Sequence, residues 1–312
     1  MNDRAMQLIT DISDFDKKPC AATIGSFDGV HTGHIAMLSE LRLAAAERGL
    51  PLVVVTFANH PRLLFNSEST PFLLTPGSVR EELLASAGVD CCVMLDFDRA
   101  MASMSAECFM REVLVERLGV QLLAVGYDHH FGKPAAGEGL EQYISYGRKY
   151  GVEVFGTKPF AVGDTIVSSS AVRRALSAGD VEAAKAFLGR SYALYGTVVH
   201  GAGIGRQLGF PTANISLPDA MQQLPADGVY EVDVTLDGEN HKGVMNIGRK
   251  PTVASGKERT LEVHIIGFEG DIYGRPVTVE FVRRLRGEQS FVNIDALRFQ
   301  IEVDVARVKR GI

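Results

Sequence analysis

The chain has 312 residues, 46% of them hydrophobic and 22% charged, a globular composition with room for two domains that each bury a core. Its formal charge of −6 argues against a general nucleic-acid binder held by phosphate contacts, while leaving a local basic pocket open. No stretch approaches the roughly 18 uninterrupted apolar residues of a membrane span, and Met1-Asn2-Asp3-Arg4 does not open a signal peptide.

In chain order, apolar runs of strand length at 20–25, 51–57, 90–95, 120–125 and 152–156 alternate with helical patterns near 34–48, 77–87, 105–118 and 138–150. This order predicts parallel strands joined by right-handed crossovers: an α/β, doubly wound, Rossmann-like layer that binds ligands beyond the carboxyl ends of its strands. Three of the four cysteines, Cys20, Cys91, Cys92 and Cys108, sit in apolar segments and none forms a C-x-x-C pair. Reduced thiols in a cytoplasmic protein are the expectation. Ser168-Ser169-Ser170 predicts the cap of a helix through Ala178, and a second short helix runs to Leu188. Strand-like alternations follow at 192–199, 229–236, 241–247, 260–266 and 276–282, divided by Asp227-Gly228, Asp237-Gly238 and Gly270-Asp271. Five or six antiparallel strands without intervening helices predict a small barrel. The end of the chain returns to helical spacing, with Ile294, Leu297, Ile301 and Val305 on one face. The expected domains are 1–187 and 188–312.

Two segments carry nucleotide chemistry. The first is Gly25-Ser26-Phe27-Asp28-Gly29-Val30-His31-Thr32-Gly33-His34, between a strand and a helix. Two imidazoles at a helix N-terminus suit a polyphosphate, and glycines let backbone approach it. A helix cap and a metal pair are the competing readings. Thr56–Pro61, with Asn59 and His60, and the 126–133 loop, with Asp128, follow other strands and fall on the same expected rim. The 126–133 loop is no P-loop: its glycine spacing is wrong, and Pro134 stands where a Ser or Thr would hold magnesium. Ser168, Ser169 and Arg173 offer a helix start and a guanidinium for a pyrophosphate. The second segment is 201–214, with Gly201, Gly203 and Arg206 in a glycine loop ahead of Thr212 and Asn214. It is no dinucleotide fingerprint, because Arg206 occupies the third glycine position. Thr212 and Asn214 are two apart, so an extended chain places them on one face, where a hydroxyl and an amide suit Mg²⁺ on ATP phosphates.

G-x-F-D-G-V-H-x-G-H is similar to the H-x-G-H signature of nucleotidyltransferases. With Val167-Ser168-Ser169-Ser170-Ala171-Val172-Arg173 it resembles the adenylyltransferase module of bacterial bifunctional riboflavin kinase/FAD synthetases. G-R-x-L-G-F-P-T-A-N, Gly228-Val229-Tyr230, Asn246-Ile247-Gly248 with Pro251-Thr252, Leu261-Glu262-Val263-His264, Asp271-Ile272-Tyr273-Gly274 and Arg283–Glu288 run in the order of the riboflavin kinase module. Together the two cover nearly the whole chain. The resemblance implies a nucleotidyltransferase domain followed by a six-stranded antiparallel flavokinase barrel with a C-terminal helix. It implies phosphorylation of riboflavin by ATP to FMN, then adenylylation of FMN to FAD with release of pyrophosphate, both with Mg²⁺. It also implies Glu262 as general base, His31 and His34 on phosphate oxygens, Arg206 on phosphate and the C-terminal helix over the isoalloxazine ring. Departures from the family pattern at Ala58-Asn59 and at His130 with 134–136 leave one alternative, a riboflavin kinase with a degenerate first module; a second is a non-catalytic flavin-binding protein, against which Glu262, Thr212 and Asn214 argue. Expected partners are small-molecule substrates, with no nucleic acid and no membrane; a homo-oligomer is left open.

Overall fold

A computed structural model describes residues 5–65, 72–127, 131–133, 139–201, 205, 208–250 and 258–311. It separates into two compact units, Met1–Thr70 with Thr75–Ser169, and Pro71–Leu74 with Ser170–Ile312.

The first unit is built on β1 (Gln7–Ile9), β2 (Cys20–Ile24), β3 (Leu52–Phe57), β4 (Cys91–Leu95), β5 (Val120–Val125) and β6 (Glu153–Gly156), all parallel in the order β1-β4-β3-β2-β5-β6. Its main helices are α1 (Thr32–Glu47), α2 (Pro61–Phe65), α3 (Gly77–Ser86), α4 (Arg99–Ser103), α5 (Ala106–Phe109, continued by the π-helical Met110–Arg117) and α6 (Leu140–Tyr150). Strands β2 and β3 are buried along their whole length, because both faces are covered. Cys20, Ala22 and Ile24 pack into one apolar layer and Ala21 into the other, the two-residue alternation of a strand. Strand order reverses beside β2, so the loops leaving β3, β2 and β5 are neighbours on one rim. Burial pushes the thiols of Cys20 and Cys92 up to about 12 and that of Cys91 up to about 11. All four cysteines are free.

After the hairpin of β7 (Ala161–Val162) and β8 (Thr165–Ile166), the second unit begins within α7 (Ser169–Ala178), followed by α8 (Val181–Leu188). Then come β9 (Ala193–Val199), β10 (Ala213–Ser216), β11 (Gly228–Leu236), β12 (Glu239–Lys250), β13 (Glu258–Ile265) and β14 (Pro276–Arg286), a closed antiparallel barrel in the order β10-β13-β12-β11-β14-β9. Val172, Leu176, Val181, Ala184 and Leu188 of the two helices share one core with Tyr230, Met245, Val263 and Phe281 of the barrel. Packing groups α7 and α8 with the barrel from Ser170 onward, whereas the 187/188 boundary is expected where helical patterns give way to strand alternation. The two helices bury their apolar stripes on the barrel, a choice that their periodicity alone does not reveal. The last helix, α9 (Ile294–Arg310), lies outside the barrel, where Ile301, Val305 and Val308 meet Val229 and Val244.

Candidate active sites

In the first unit, the loop leaving β2 turns through positive φ at Phe27, Gly29 and Val30 (49°, 89° and 37°) before α1 starts. Two non-glycine residues in that region within one loop are a strained arrangement of the kind found at ligand sites. Its geometry is held from within. Asp28, 2% exposed, accepts the Thr75 N–H at Oδ1 (3.2 Å), and the Gly29 N–H donates to Thr75 Oγ1 (3.2 Å). Ser169 Oγ donates to the Asp28 carbonyl at 2.8 Å, which joins two segments 141 residues apart in sequence.

His31 is the N-cap of α1, its Nδ1 accepting the His34 N–H at 3.2 Å. The capping reading therefore describes one of its two ring nitrogens. Because Nδ1 accepts, the neutral ring carries its proton at Nε2. The His34 ring stacks on that of His31 (centroids 3.6 Å apart, 13° between planes) and touches the Phe27 ring at 4.8 Å. Phe27 itself is 1% exposed and acts as the floor under His34. Gly25 lies against the Phe27 ring. Of the other expected contacts, Asn59 is exposed and His60 half-buried just after β3, the latter accepting the Arg62 N–H at Nδ1 (3.2 Å). Ser168 is half-buried. Arg173, in the second unit, donates from Nε to the Phe72 carbonyl (2.8 Å) and lies over the Phe72 ring. Asp128, Gly203 and Arg206 lie outside the described residues, as do 129–130, 134–136, Pro251 and Thr252.

In the barrel, alternation separates core from site. Leu261, Val263 and Ile265 point inward to the core, leaving Glu262 and His264 on the outer face. Glu262 pairs in register with Asn214 of β10 on one side and with Asn246 of β12 on the other. Three polar side chains thus stand in a row across adjacent strands. Thr212 and Asn214 share the face opposite buried Ala213 and Ile215, as their spacing predicts. A Cβ at Gly201 would lie 1.9 Å from Asn214 Nδ2, and one at Gly205 3.0 Å from Thr212 Oγ1. Only bare backbone fits over these two side chains.

One cavity opens on this row and another lies beside the inward-facing residues of β10 and β13. The first, of about 350 Å³, is lined by Asn246, Glu262, His264 and Arg286 together with Phe291, Leu297 and Ile301. The other, of about 520 Å³, is lined by Pro211, Phe268, Asp271 and Tyr273. Thr212 borders both. Arg286 is tied to α9 through Asp304, 1% exposed, by a 2.9 Å bond from Nε, and Gln300 Nε2 donates to the same carboxylate.

Sequence reasoning missed several residues of these sites. His264 donates from Nδ1 to the Pro211 carbonyl at 2.9 Å and so holds the Thr212 segment; its place two residues from Glu262 was the available signal. Thr75 and Asp304 had no signal, because their partners are distant in sequence, whereas Arg286 lies within the Arg283–Glu288 segment of the resemblance.

Comparison with known proteins matches each half of the chain to a family of its own. A family model described as FAD synthetase matches residues 13–171, and one described as riboflavin kinase matches residues 188–312. The chain is 41% identical to the bifunctional riboflavin kinase/FMN adenylyltransferase of Pseudomonas fluorescens, covering 97% of each chain. It is 41% identical to that of Escherichia coli (strain K12), covering 96% of each, and 34% identical to that of Bacillus subtilis (strain 168), covering 90% of this chain and 89% of the relative. A solved structure from Streptococcus pneumoniae, described as a macrolide-efflux protein, superposes with a TM-score of 0.88 at 30% identity over 98% of this chain and 99% of its own. Among the described residues no helix is long and apolar enough to cross a membrane. The chain belongs to the bifunctional riboflavin kinase/FMN adenylyltransferase family, whose members use ATP to convert riboflavin to FMN and FMN to FAD, and it carries both activities.

Proposed function

We propose that phosphoryl transfer takes place at the barrel row Asn214–Glu262–Asn246 and adenylyl transfer at the His31–His34 loop. The observation that carries the first assignment is Thr212, which forms part of the wall of both barrel cavities. Riboflavin fits the 350 Å³ cavity, where Phe291, Leu297 and Ile301 supply an apolar face for the ring system. The nucleotide takes the 520 Å³ cavity, so that its terminal phosphate meets the flavin at Thr212.

A primary hydroxyl is a weak nucleophile until its proton leaves. Glu262 accepts that proton as the oxygen attacks the terminal phosphorus, the bond to the β-phosphate oxygen breaks, and ADP departs. Asn214 and Asn246, in register on either side, orient the carboxylate. Thr212 and Asn214 would hold Mg²⁺ on the ATP phosphates. Their hydroxyl and amide oxygens are the hard donors that ion takes, and the backbone at Gly201 and Gly205 leaves no side chain over them. Bound there, the ion would neutralise phosphate charge. Arg206 completes the phosphate contacts in this reading.

Adenylyl transfer needs no base, since the FMN phosphate is ionised near neutral pH. Its oxygen attacks the α-phosphorus of ATP and pyrophosphate leaves. Catalysis is then positioning and charge stabilisation. His31, whose proton sits at Nε2, and His34 donate to phosphate oxygens. Gly25, Gly29 and Asp28 shape the loop, Asn59 and His60 line the same rim, and Ser168 and Ser169, the latter bonded to the Asp28 carbonyl, receive the pyrophosphate. The catalytic modules are assigned to 1–187 and 188–312, the second starting where the riboflavin kinase match starts. The four free thiols, three of them buried, suit the reducing cytoplasm.

Incubation with riboflavin and Mg-ATP followed by product chromatography tests the whole reading. FMN and FAD are expected from the wild type. Glu262→Gln is expected to lower FMN formation by roughly 10²–10⁴-fold, the usual worth of a general base, and to leave conversion of added FMN to FAD intact. Equal loss of both activities in a folded variant would reject separate sites.

A further inference from the structure

Arg80, on α3, is 7% exposed. Its Nη1 donates to the Ser26 carbonyl at 3.2 Å, and its Nη2 donates to the Phe57 carbonyl at 3.0 Å and lies 3.9 Å from Met94 Sδ. Its Nε has no hydrogen-bond partner, and among the described residues no carboxylate pairs with this guanidinium. A buried cation facing only neutral oxygens is costly, and a side chain of similar volume without charge would fill the space at less cost.

The two carbonyls explain its presence. Ser26 belongs to the loop that carries His31 and His34, and Phe57 ends β3 just before Asn59 and His60. Strands β2 and β3 are hydrogen-bonded neighbours. One planar fork therefore spans the carboxyl ends of two adjacent strands and sets the spacing of both loops. Thr56 Oγ1 adds a second bond to the Ser26 carbonyl at 3.3 Å. Lysine offers a point charge without this fork.

We propose that Arg80 is a positioning residue for adenylyl transfer. Its fork aligns the His31–His34 loop with the 58–60 loop, and its uncompensated charge is offset when a polyphosphate occupies the rim. The inference rests on assigning adenylyl transfer to the His31–His34 loop.

The test compares Arg80→Lys, which keeps charge and loses the fork, with Arg80→Met, which loses both. FMN adenylylation and riboflavin phosphorylation are followed separately under ATP saturation curves, beside thermal unfolding. Arg80→Lys is expected to lower the adenylylation kcat about 10- to 100-fold, the effect of an ångström-scale misplacement, with the KM for ATP little changed. Arg80→Met is expected to lower kcat similarly and also to raise that KM. Riboflavin phosphorylation is expected to stay within about twofold of wild type in both. A folded Arg80→Met with adenylylation kcat and KM for ATP near wild type would overturn the proposal. So would a lowered unfolding temperature with kcat unchanged, or failure of both variants to fold, since either makes Arg80 purely structural. If the site assignment itself were wrong, His31→Ala would leave adenylylation intact; failure of the Arg80 proposal alone leaves the His31 dependence in place.

Discussion

Replacing Gly201 by alanine is a steric test of the phosphoryl-transfer site, because the three atoms nearest an added Cβ all belong to Asn214. Gly201 is not among the positive-φ glycines, so alanine adopts its backbone without strain. The added Cβ would lie 1.9 Å from Asn214 Nδ2 and 2.4 Å from Asn214 Cγ, where ordinary contacts begin near 3.4 Å. The amide must retreat by about 1.5 Å, or the loop must lift by as much. A displacement of about 1 Å costs roughly 10²-fold in a reaction that depends on alignment, equivalent to about 2.7 kcal/mol of barrier. Riboflavin phosphorylation, measured as FMN formed under saturating Mg-ATP, is expected to fall by that factor. Conversion of added FMN to FAD is expected to stay within about twofold. In Gly201→Ala/Asn214→Ala the clash is gone, so the double variant is expected to be no slower than Asn214→Ala, a non-additivity diagnostic of direct contact. Near-normal FMN formation by Gly201→Ala, or strict additivity in the double variant, would refute the reasoning.

His31 has two separable duties: the cap at Nδ1 and the phosphate contact from Nε2. His31→Asn is expected to keep the cap and lose FAD synthesis, while His31→Ala loses both and about 1 kcal/mol of stability; FAD synthesis by the asparagine variant at the normal rate would contradict the phosphate role. Asp304→Ala strands the guanidinium of Arg286, and loss of one partner of a buried pair costs about 3–5 kcal/mol. Denaturant unfolding should register that loss, together with a raised KM for riboflavin as α9 loosens from the cavity; unchanged stability would show the pair to be unimportant. The folded-state values of Cys20, Cys91 and Cys92 lie above the ordinary 9.0. Their contribution to stability is therefore full below pH 9.0 and lost as pH rises towards 11–12. A thiol reagent at pH 8 is expected to reach only Cys108 in the native state, and labelling of any of the other three would show that their burial is overstated.

Local pattern was enough for much of this protein. Apolar runs and helical spacing marked β2 to β6, α1, α3 and the last helix, because each of those segments buries a face large enough to leave a periodic trace. β1 and β10 have three and four residues, too few to repeat a period, so pairing with a neighbour defines them. The outward side of Glu262 followed from alternation with Leu261 and Val263, and the shared face of Thr212 and Asn214 from their spacing. Its role as a base rested on the family resemblance.

Other features depended on contacts that no local window contains. α7 and α8 joined the barrel because its core accepted their apolar stripes, although chain order had placed them with the first domain. Thr75 reached Asp28, Arg80 reached Ser26 and Phe57, and Asp304 reached Arg286 only after the chain had folded. Hydrophobic periodicity is a property of neighbours along the chain, whereas a buried charge or a loop clamp is a property of neighbours in space. The residue types and their spacing therefore revealed which chemistry this chain carries, and tertiary packing alone decided which side chains hold that chemistry in place.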